Sequence, residues 1–430
     1  MNAPYDVVVI GAGAAGLACA RRLSDSGRSV CVLEARSRIG GRIQTDTTFT
    51  GYPLELGAEF VHGEHAVTHD LLKKAGLSVI PVDRLQAGMR FGRPASRVAD
   101  LDPAAREMIE RLRAAYYALT SQSGATADRS LADYLAAEGL DGDALRIADV
   151  LLAQTCCARL DSLSCADLAR EMRVDHAGPL EFRIAEGYGA LLNWLATGLD
   201  IRLDTPVRRI AWGRDGVTAI TDRGSVTART AIVTLPVSLL ARDAISFVPP
   251  LPTAKREAIH GFRTEPATKL LYRFRIPRWD SELTFMAHDG LAARWWTPGY
   301  RREGPAVLAA YLTADRAREI DAMPEDQALA RGLEDAAMLL GDPYVHEGVT
   351  AARRVSWAAD PLALGGYAHV RVGAADARPV LAASVEDRLF FAGEATAWDT
   401  NPQTVHGAIE SGWRAADEVM AVLPATALPQ

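Results

Sequence analysis

The hydrophobic pattern changes period several times along the chain, and each change marks an element. Tyr5 to Ile10 (YDVVVI) is a short, β-branched apolar run that reads as a buried strand. A glycine turn follows it. From Ala14 to Asp25 small and apolar residues recur at helical spacing, and Ser29 to Leu33 (SVCVL) supply a second buried strand, which together predict a βαβ unit. From about Leu101 to Ala169 the pattern becomes alanine-rich amphipathic helix punctuated by Ser, Asp and Gly, as in MIERLRAAYYALT and SLADYLAAEGL. Alternation returns in IRLDTPVRRIAW and GVTAITDRGSVTARTAIVTLP, with Asp-Gly, Arg-Gly and Pro at the turns, and continues through KLLYRFRI, TFMAHDG and ARWWTP. Arg388 to Leu423 opens as a strand (RLFFAG), passes through a loop and ends as a helix.

No internal repeat or low-complexity linker separates these blocks, and 430 residues with 49% hydrophobic content suffice for two packed cores. Two interleaved domains are expected. No run of about 18 uncharged apolar residues occurs, and the first strand begins too early, at Tyr5, for a signal peptide to precede it. The cysteines (Cys19, Cys31, Cys156, Cys157, Cys165) match neither a zinc spacing nor a disulfide framework, so a cytoplasmic protein without a metal centre is expected. A net charge of -7 without a long basic run argues against nucleic acid as a partner, and the mild negative field favours cationic ligands. Of 47 basic residues only Lys73, Lys74, Lys255 and Lys269 are lysine. In a chain that uses arginine for generic positive charge, a lysine inside an apolar strand asks for an explanation.

Gly11, Gly13, Ala15 and Gly16 belong to a G-x-G-x-x-G turn between the first strand and the first helix, where backbone N–H groups can approach a pyrophosphate at the positive helix end. Glu34 ends the second strand at the spacing of a carboxylate that accepts from both ribose hydroxyls. The run onward, Glu34-Ala35-Arg36 to Gly40-Gly41-Arg42, offers a second glycine approach with two arginines suited to phosphate charge. An NAD dehydrogenase has no need of that second cradle.

This extension resembles the E-A-x-x-x-x-G-G-R of flavin amine oxidases, the family that includes polyamine oxidases, monoamine oxidases and lysine-demethylase catalytic domains. Further segments resemble it in order and spacing: PLELGAEFVHG (53–63) with Gly57 and Ala58 skirting the flavin, EGYGAL (186–191), TPVRRI (205–210) with Val207 against the adenosine, and Thr234 in T-L-P. The strongest is 388–412, where Gly393-Glu394 turns at the cofactor while Thr404 and Val405 begin a helix whose positive end points at the flavin. The resemblance implies an α/β fold: a Rossmann-type FAD-binding domain (1–82, 175–246 and 376–430) interleaved with an α+β substrate-binding domain (83–174 and 247–375) made of a helical insertion and an antiparallel sheet.

It also implies chemistry. The expected reaction carries hydride from the α-carbon of an amine to flavin N5, leaving an imine that gives aldehyde and amine, with molecular oxygen returning the flavin and forming hydrogen peroxide. Lys269 matches the lysine that holds a water against N5, and its apolar strand would depress its pKa. Trp357 and Tyr367 match the substrate-side segment, Tyr367 as one wall of an aromatic cage. Thr404 stands where monoamine oxidases have the second tyrosine, and Gly366 where they have the flavin-bonding cysteine, so non-covalent FAD is expected. Glu59, less usual in this segment, is expected to bind the substrate ammonium or take its proton, with His62 beside it. Phe60 stands where amino-acid oxidases often have a carboxylate-binding arginine, which argues against an amino acid; a secondary or primary amine is expected, with polyamines the first to consider. Three alternatives stay open: an amine or amide dehydrogenase that traps the imine internally, a desaturase or porphyrinogen oxidase on a non-amine substrate, and a flavin-binding module without turnover. Oligomeric state is not legible.

Overall fold

The computed structural model describes residues 4–83, 89–121 and 127–423. The expected divisions also contain residues 1–3, 84–88, 122–126 and 424–430, which lie outside the described residues. The anticipated βαβ unit is present as Tyr5–Ile10, Ala14–Asp25 and Val30–Leu33, the two strands pairing in parallel from Val7↔Val30 to Ile10↔Leu33. Among the described residues this sheet has eight strands. Asp200–Arg202 joins one edge, while Gly224–Val233 pairs with Tyr5–Ile10 on the other side and leads into an antiparallel meander with Gly216–Thr221 and Val207–Gly213. Leu389–Phe391 pairs in parallel with the end of Gly224–Val233, which brings the far C-terminal segment to the glycine turn. The C-terminal helix Val405–Val422 packs on the N-terminal helix with Gly412 against Ala15, where a Cβ would lie 2.4 Å from the Ala15 carbonyl oxygen. Only glycine allows that approach.

A second sheet of seven strands among the described residues runs Val349–Ser356, Ala267–Phe274, Ala306–Thr313, Arg294–Trp296, Phe285–Ala287, Met89–Gly92, Ala95–Arg97. The last two strands precede the helical block and were not read from the sequence. Its register carries the site: Val355, Lys269, Tyr311 and Arg294 lie directly opposite one another across four strands, so they share one row and one face. The helical block contains Pro103–Ala118, Leu131–Ala137, Asp143–Ala148 and Cys165–Val174. Its helix starts are encoded locally, since Asp102, Ser130 and Ser164 each accept from the backbone N–H three residues on, with Pro103 at the first helical position. Val150 of this block, Leu54, Leu56 and Phe60 of the ELGA segment, and Leu271 and Trp296 of the second sheet share a single buried cluster. The junction between the layers is therefore packed, and the glycine cradle and the second sheet are held in fixed relation. Among the described residues, no helix is long and apolar enough to cross a membrane.

Candidate active site

The cradle is assembled by backbone contacts between its two glycine turns. Gly11 (φ +107°) donates its N–H to the Leu33 carbonyl at 2.8 Å, and a Cβ on Gly16 would sit 2.0 Å from the Gly11 oxygen, so the helix enters directly beneath the turn. Gly13 pairs with Gly40, and Gly40 N–H reaches the Ala12 carbonyl at 2.8 Å. Glu34 ties the turns together by accepting from Ala12 N–H at 2.7 Å and Arg36 N–H at 2.8 Å, with half-buried Ala35 between. Thr205 N–H is bonded to the Glu34 carbonyl, which places buried Val207 beside this acid. Thr234 Oγ donates to the Ile10 carbonyl at 2.8 Å from the adjoining strand.

Two arginines depart from expectation. Arg36 pairs with Asp360 at 2.7 Å, and Arg42 donates to Glu394 at 3.0 Å and to the Gly366 carbonyl at 2.6 Å. Their charge thus has protein partners already. Arg38, which sequence reasoning passed over, holds the second glycine loop by donating to the carbonyls of Ile39, Gly41 and Ile43. Its only signal was its place inside the E-A-x-x-x-x-G-G-R run.

At the C-terminal end, Gly393 (φ +129°) donates to Ser411 Oγ at 2.9 Å, and buried Glu394 leaves Oε2 without a hydrogen-bond partner. Arg42, Thr234, Leu235, Gly393, Glu394 and Thr396 line one cleft. Thr404 is the N-cap of the C-terminal helix, its Oγ accepting from Gly407 N–H at 3.0 Å and donating to the Asn401 carbonyl at 2.8 Å; Val405 follows, buried. The hydroxyl is committed to the helix end, and the residue offers only its methyl to a cage.

On the second sheet, Lys269 is buried yet donates Nζ to Glu59 Oε2 at 2.9 Å and to the Glu55 carbonyl at 2.8 Å. The lysine is thus buried in its strand and has a carboxylate partner that the sequence did not reveal. The expectation for Glu59 is corrected: its carboxylate accepts from Lys269, from Arg183 Nε at 2.9 Å and from Trp296 Nε1 at 2.9 Å, and is committed to the protein instead of awaiting a substrate ammonium. Burial alone would raise the Glu59 pKa, but Lys269 and Arg183 hold it below the usual carboxylate range. Glu55, accepting from Thr45 Oγ and Tyr188 N–H, is pushed up to about 7 by burial. His62 turns away from Glu59 and pairs with Glu181 at 2.8 Å. One strand, Glu181–Ile184, supplies both partners because residues two apart share a face.

Tyr367 donates its hydroxyl to the Thr155 carbonyl at 2.6 Å and accepts from Tyr311 Oη at 3.2 Å, which links it to the lysine row. Gly366 beside it is sterically closed, since a Cβ would lie 2.8 Å from both Ala267 Cβ and Cys157 Sγ. Trp357 is buried, donates Nε1 to the Leu56 carbonyl at 3.0 Å and covers Gly57, where a Cβ would lie 2.9 Å from its ring and 1.8 Å from the Arg42 oxygen. It braces the Gly57-Ala58 turn from behind. The arrangement therefore joins a nucleotide-type cradle to a group of aromatic residues around one buried, ion-paired lysine.

A family model described as flavin containing amine oxidoreductase matches residues 14–420. The chain belongs to the flavin-containing amine oxidoreductases. Among relatives of this oxidoreductase, polyamine oxidase 4 of Oryza sativa subsp. japonica is 30% identical over 96% of this chain and 88% of its own length. Lysine-specific histone demethylase 2 of Homo sapiens is 28% identical over 96% of this chain, which spans 53% of the demethylase. In fold, the oxidoreductase matches a wild-type putrescine oxidase bound to putrescine (TM-score 0.86, 22% identity, 97% of this chain and 99% of that one). It also matches the cyclohexylamine oxidase from Brevibacterium oxydans IH-35A (TM-score 0.85, 21% identity, 97% and 99%).

Proposed function

We propose that the chain is an FAD-dependent oxidase of a primary or secondary amine, with polyamine-like amines the first to test, working in the cytoplasm with molecular oxygen as acceptor. The observation that carries this reading is the pairing of Lys269 with Tyr311 on one face of the second sheet, next to the turn that leads from the glycine cradle, with Tyr367 joined to that row through the Tyr311 hydroxyl. The cradle residues fit FAD. Gly13 and Gly393 have open space where a Cβ would be, and the orphaned Glu394 oxygen offers an acceptor to a ribityl or ribose hydroxyl. Gly11, Gly13, Ala15, Gly16, Gly40 and Gly41 would hold the pyrophosphate, Glu34 and Val207 the adenosine end, and Gly57, Ala58, Thr234, Thr404 and Val405 the flavin end, with Arg42 acting through its bond to Glu394. The closed space at Gly366 supports non-covalent binding.

A bound flavin would supply the hydride acceptor for the amine α-carbon and pass the two electrons on to oxygen, giving hydrogen peroxide. The protein's own part is orientation and exclusion of water. Tyr367 and Tyr311, whose hydroxyls are bonded to Thr155 and to each other, would offer their rings to align a neutral amine, Trp296 and Phe60 pack edge to face at 5.5 Å beside them and keep water out, and Lys269 brings its ion-paired nitrogen to the same row. The division into 1–82, 175–246 and 376–430 for FAD and 83–174 and 247–375 for substrate belongs to the same proposal. Anaerobic mixing with spermidine, N-acetylspermine, benzylamine and L-amino acids tests it: an amine substrate bleaches the flavin band near about 450 nm, and no bleaching by any amine overturns the reading. Aldehyde in the product indicates hydrolysis of the imine, and a cyclic amine indicates internal trapping.

A further inference from the structure

Three elements converge on the Glu59 carboxylate. Lys269 comes from Ala267–Phe274, Arg183 from Glu181–Ile184 and Trp296 from Arg294–Trp296, each donor at 2.9 Å. The Lys269, Arg183 and Glu59 side chains are 5%, 3% and 4% exposed. Lys269 Nζ also lies 5.2 Å from the Trp296 ring centroid, and the Arg183 guanidinium lies 4.9 Å from that of Phe60. An isolated ammonium so far from water sheds its proton, because desolvation penalises the charged form. A carboxylate in contact reverses that preference, and a second cation on its other oxygen keeps the carboxylate itself ionised.

We propose that Glu59 is a positioning residue that keeps Lys269 a permanent ammonium, with Arg183 and Trp296 fixing the carboxylate, so that Lys269 serves as a fixed charge and exchanges no proton during turnover. This rests on the reading of Lys269 as a cofactor-facing residue. The geometry explains why an acid stands directly after Gly57-Ala58: it neutralises the lysine from the same segment whose Glu55 carbonyl takes the second ammonium hydrogen. The charged and titratable groups around Lys269 are Glu55, Glu59, Arg183, Arg294, Arg302 and Tyr311, while the strand on its other side presents apolar Val355. Of these Glu55 titrates near neutrality on its own account, so any test must separate it from Lys269.

The flavin-loaded enzyme provides the readout. The absorbance of the oxidised flavin and its midpoint potential are followed from about pH 6 to about pH 10, the span that brackets a desolvated lysine. Glu59→Gln is expected to introduce an ionisation absent from wild type; above it the potential matches that of Lys269→Met, below it the wild-type side is retained. The ionisation disappears in Glu59→Gln/Lys269→Met, which leaves Glu55 in place, and Glu59→Asp restores the wild-type trace. Lys269→Arg, whose charge persists throughout this range, is expected to keep the wild-type profile, with the Glu55 ionisation and no new one, and a potential nearer wild type than Lys269→Met, and it serves if Glu59→Gln does not fold. A loaded Glu59→Gln enzyme with the wild-type trace overturns the proposal, as does a new ionisation that survives in the double variant or a Lys269→Arg that behaves as Lys269→Met. Amine bleaching is recorded on the same samples. Absence of bleaching with the ionisations as described removes the oxidase reading and leaves the clamp, whereas bleaching with a wild-type trace in Glu59→Gln does the reverse.

Discussion

Two of the four lysines are buried to the same degree, Lys255 at 3% and Lys269 at 4% exposure, yet they are held in opposite ways. Lys255, on helix Thr253–His260 behind the nucleotide sheet, donates to the carbonyls of Leu381 and Ala383 and lies 4.1 Å from the centroid of the Phe391 ring. Burial first, and then Arg414, push its pKa down to about 7, with Glu418 opposing. Lys269 has Glu59 in direct contact. Carbonyls and a ring face solvate an ammonium but do not neutralise it, whereas a carboxylate does both. Burial alone therefore marks neither lysine as functional; what distinguishes them is the counter-ion, and the row of aromatic hydroxyls that continues from Lys269 and not from Lys255. Lys255 instead fastens the end of helix Ala377–Ala382 to the sheet.

Substitution by methionine gives the sharpest break between the two. Lys269→Met is expected to slow flavin reduction or reoxidation by about ten-fold or more, while Lys255→Met leaves both within about two-fold. Stopped-flow rates with a bleaching amine decide it. Comparable losses in the two variants would erase the distinction drawn from their surroundings.

What could be read from the chain and what could not divide along a related line. The glycine turn, Glu34, the helical block with its Ser, Asp and Gly punctuation, and the C-terminal strand-loop-helix were legible because the interactions that create them span a few residues. Lys269 stood out because arginine is the rule in this chain. Arg183, Glu181, Trp296 and Tyr311 did not, although they complete the site. Each lies in a strand whose partners are remote, and the strands of Arg183, Glu181 and Trp296 are short: Glu181 opposes His62, and Arg294–Trp296 opposes Ala309–Tyr311, pairings that no local pattern specifies. The same holds for Met89–Gly92, which finds its place only by pairing in parallel with Phe285–Ala287. Glu59 illustrates the limit well. Its position allowed either a substrate ligand or an ion-pair partner, and the choice was made by a strand more than a hundred residues away in sequence, which delivers Arg183.

The counter-ion also sets how stability responds to pH. Between a folded pKa of about 7 and the ordinary 10.5, the unfolded chain carries a proton on Lys255 that the native state does not. Stability must then rise with pH across that window, by about 2 kcal/mol between about pH 7 and pH 9. The wild-type protein should accordingly gain on Lys255→Met as pH increases, measured by denaturant unfolding at fixed ionic strength. Lys269→Met, which removes a paired charge, is expected to follow the wild-type slope. A slope lost in Lys269→Met and kept in Lys255→Met would invert the assignment of which lysine is uncompensated.

The smallest effect isolates the ring face under Lys255. Phe391→Leu removes the aromatic face while keeping an apolar side chain, so it opens a cavity whose cost does not depend on pH. Superimposed on that cost is the cation–π contribution, about 1 kcal/mol, which exists only while Lys255 is charged. With a folded pKa of about 7, the lysine carries its proton at about pH 6 and has lost it by about pH 9. The variant is therefore expected to be more destabilised at the lower pH by roughly that amount, and the difference should vanish in the Lys255→Met background, where no cation remains to face the ring. An equal cost at both pH values would mean that the ring acts by packing alone, leaving the two backbone carbonyls as the only groups that solvate the ammonium.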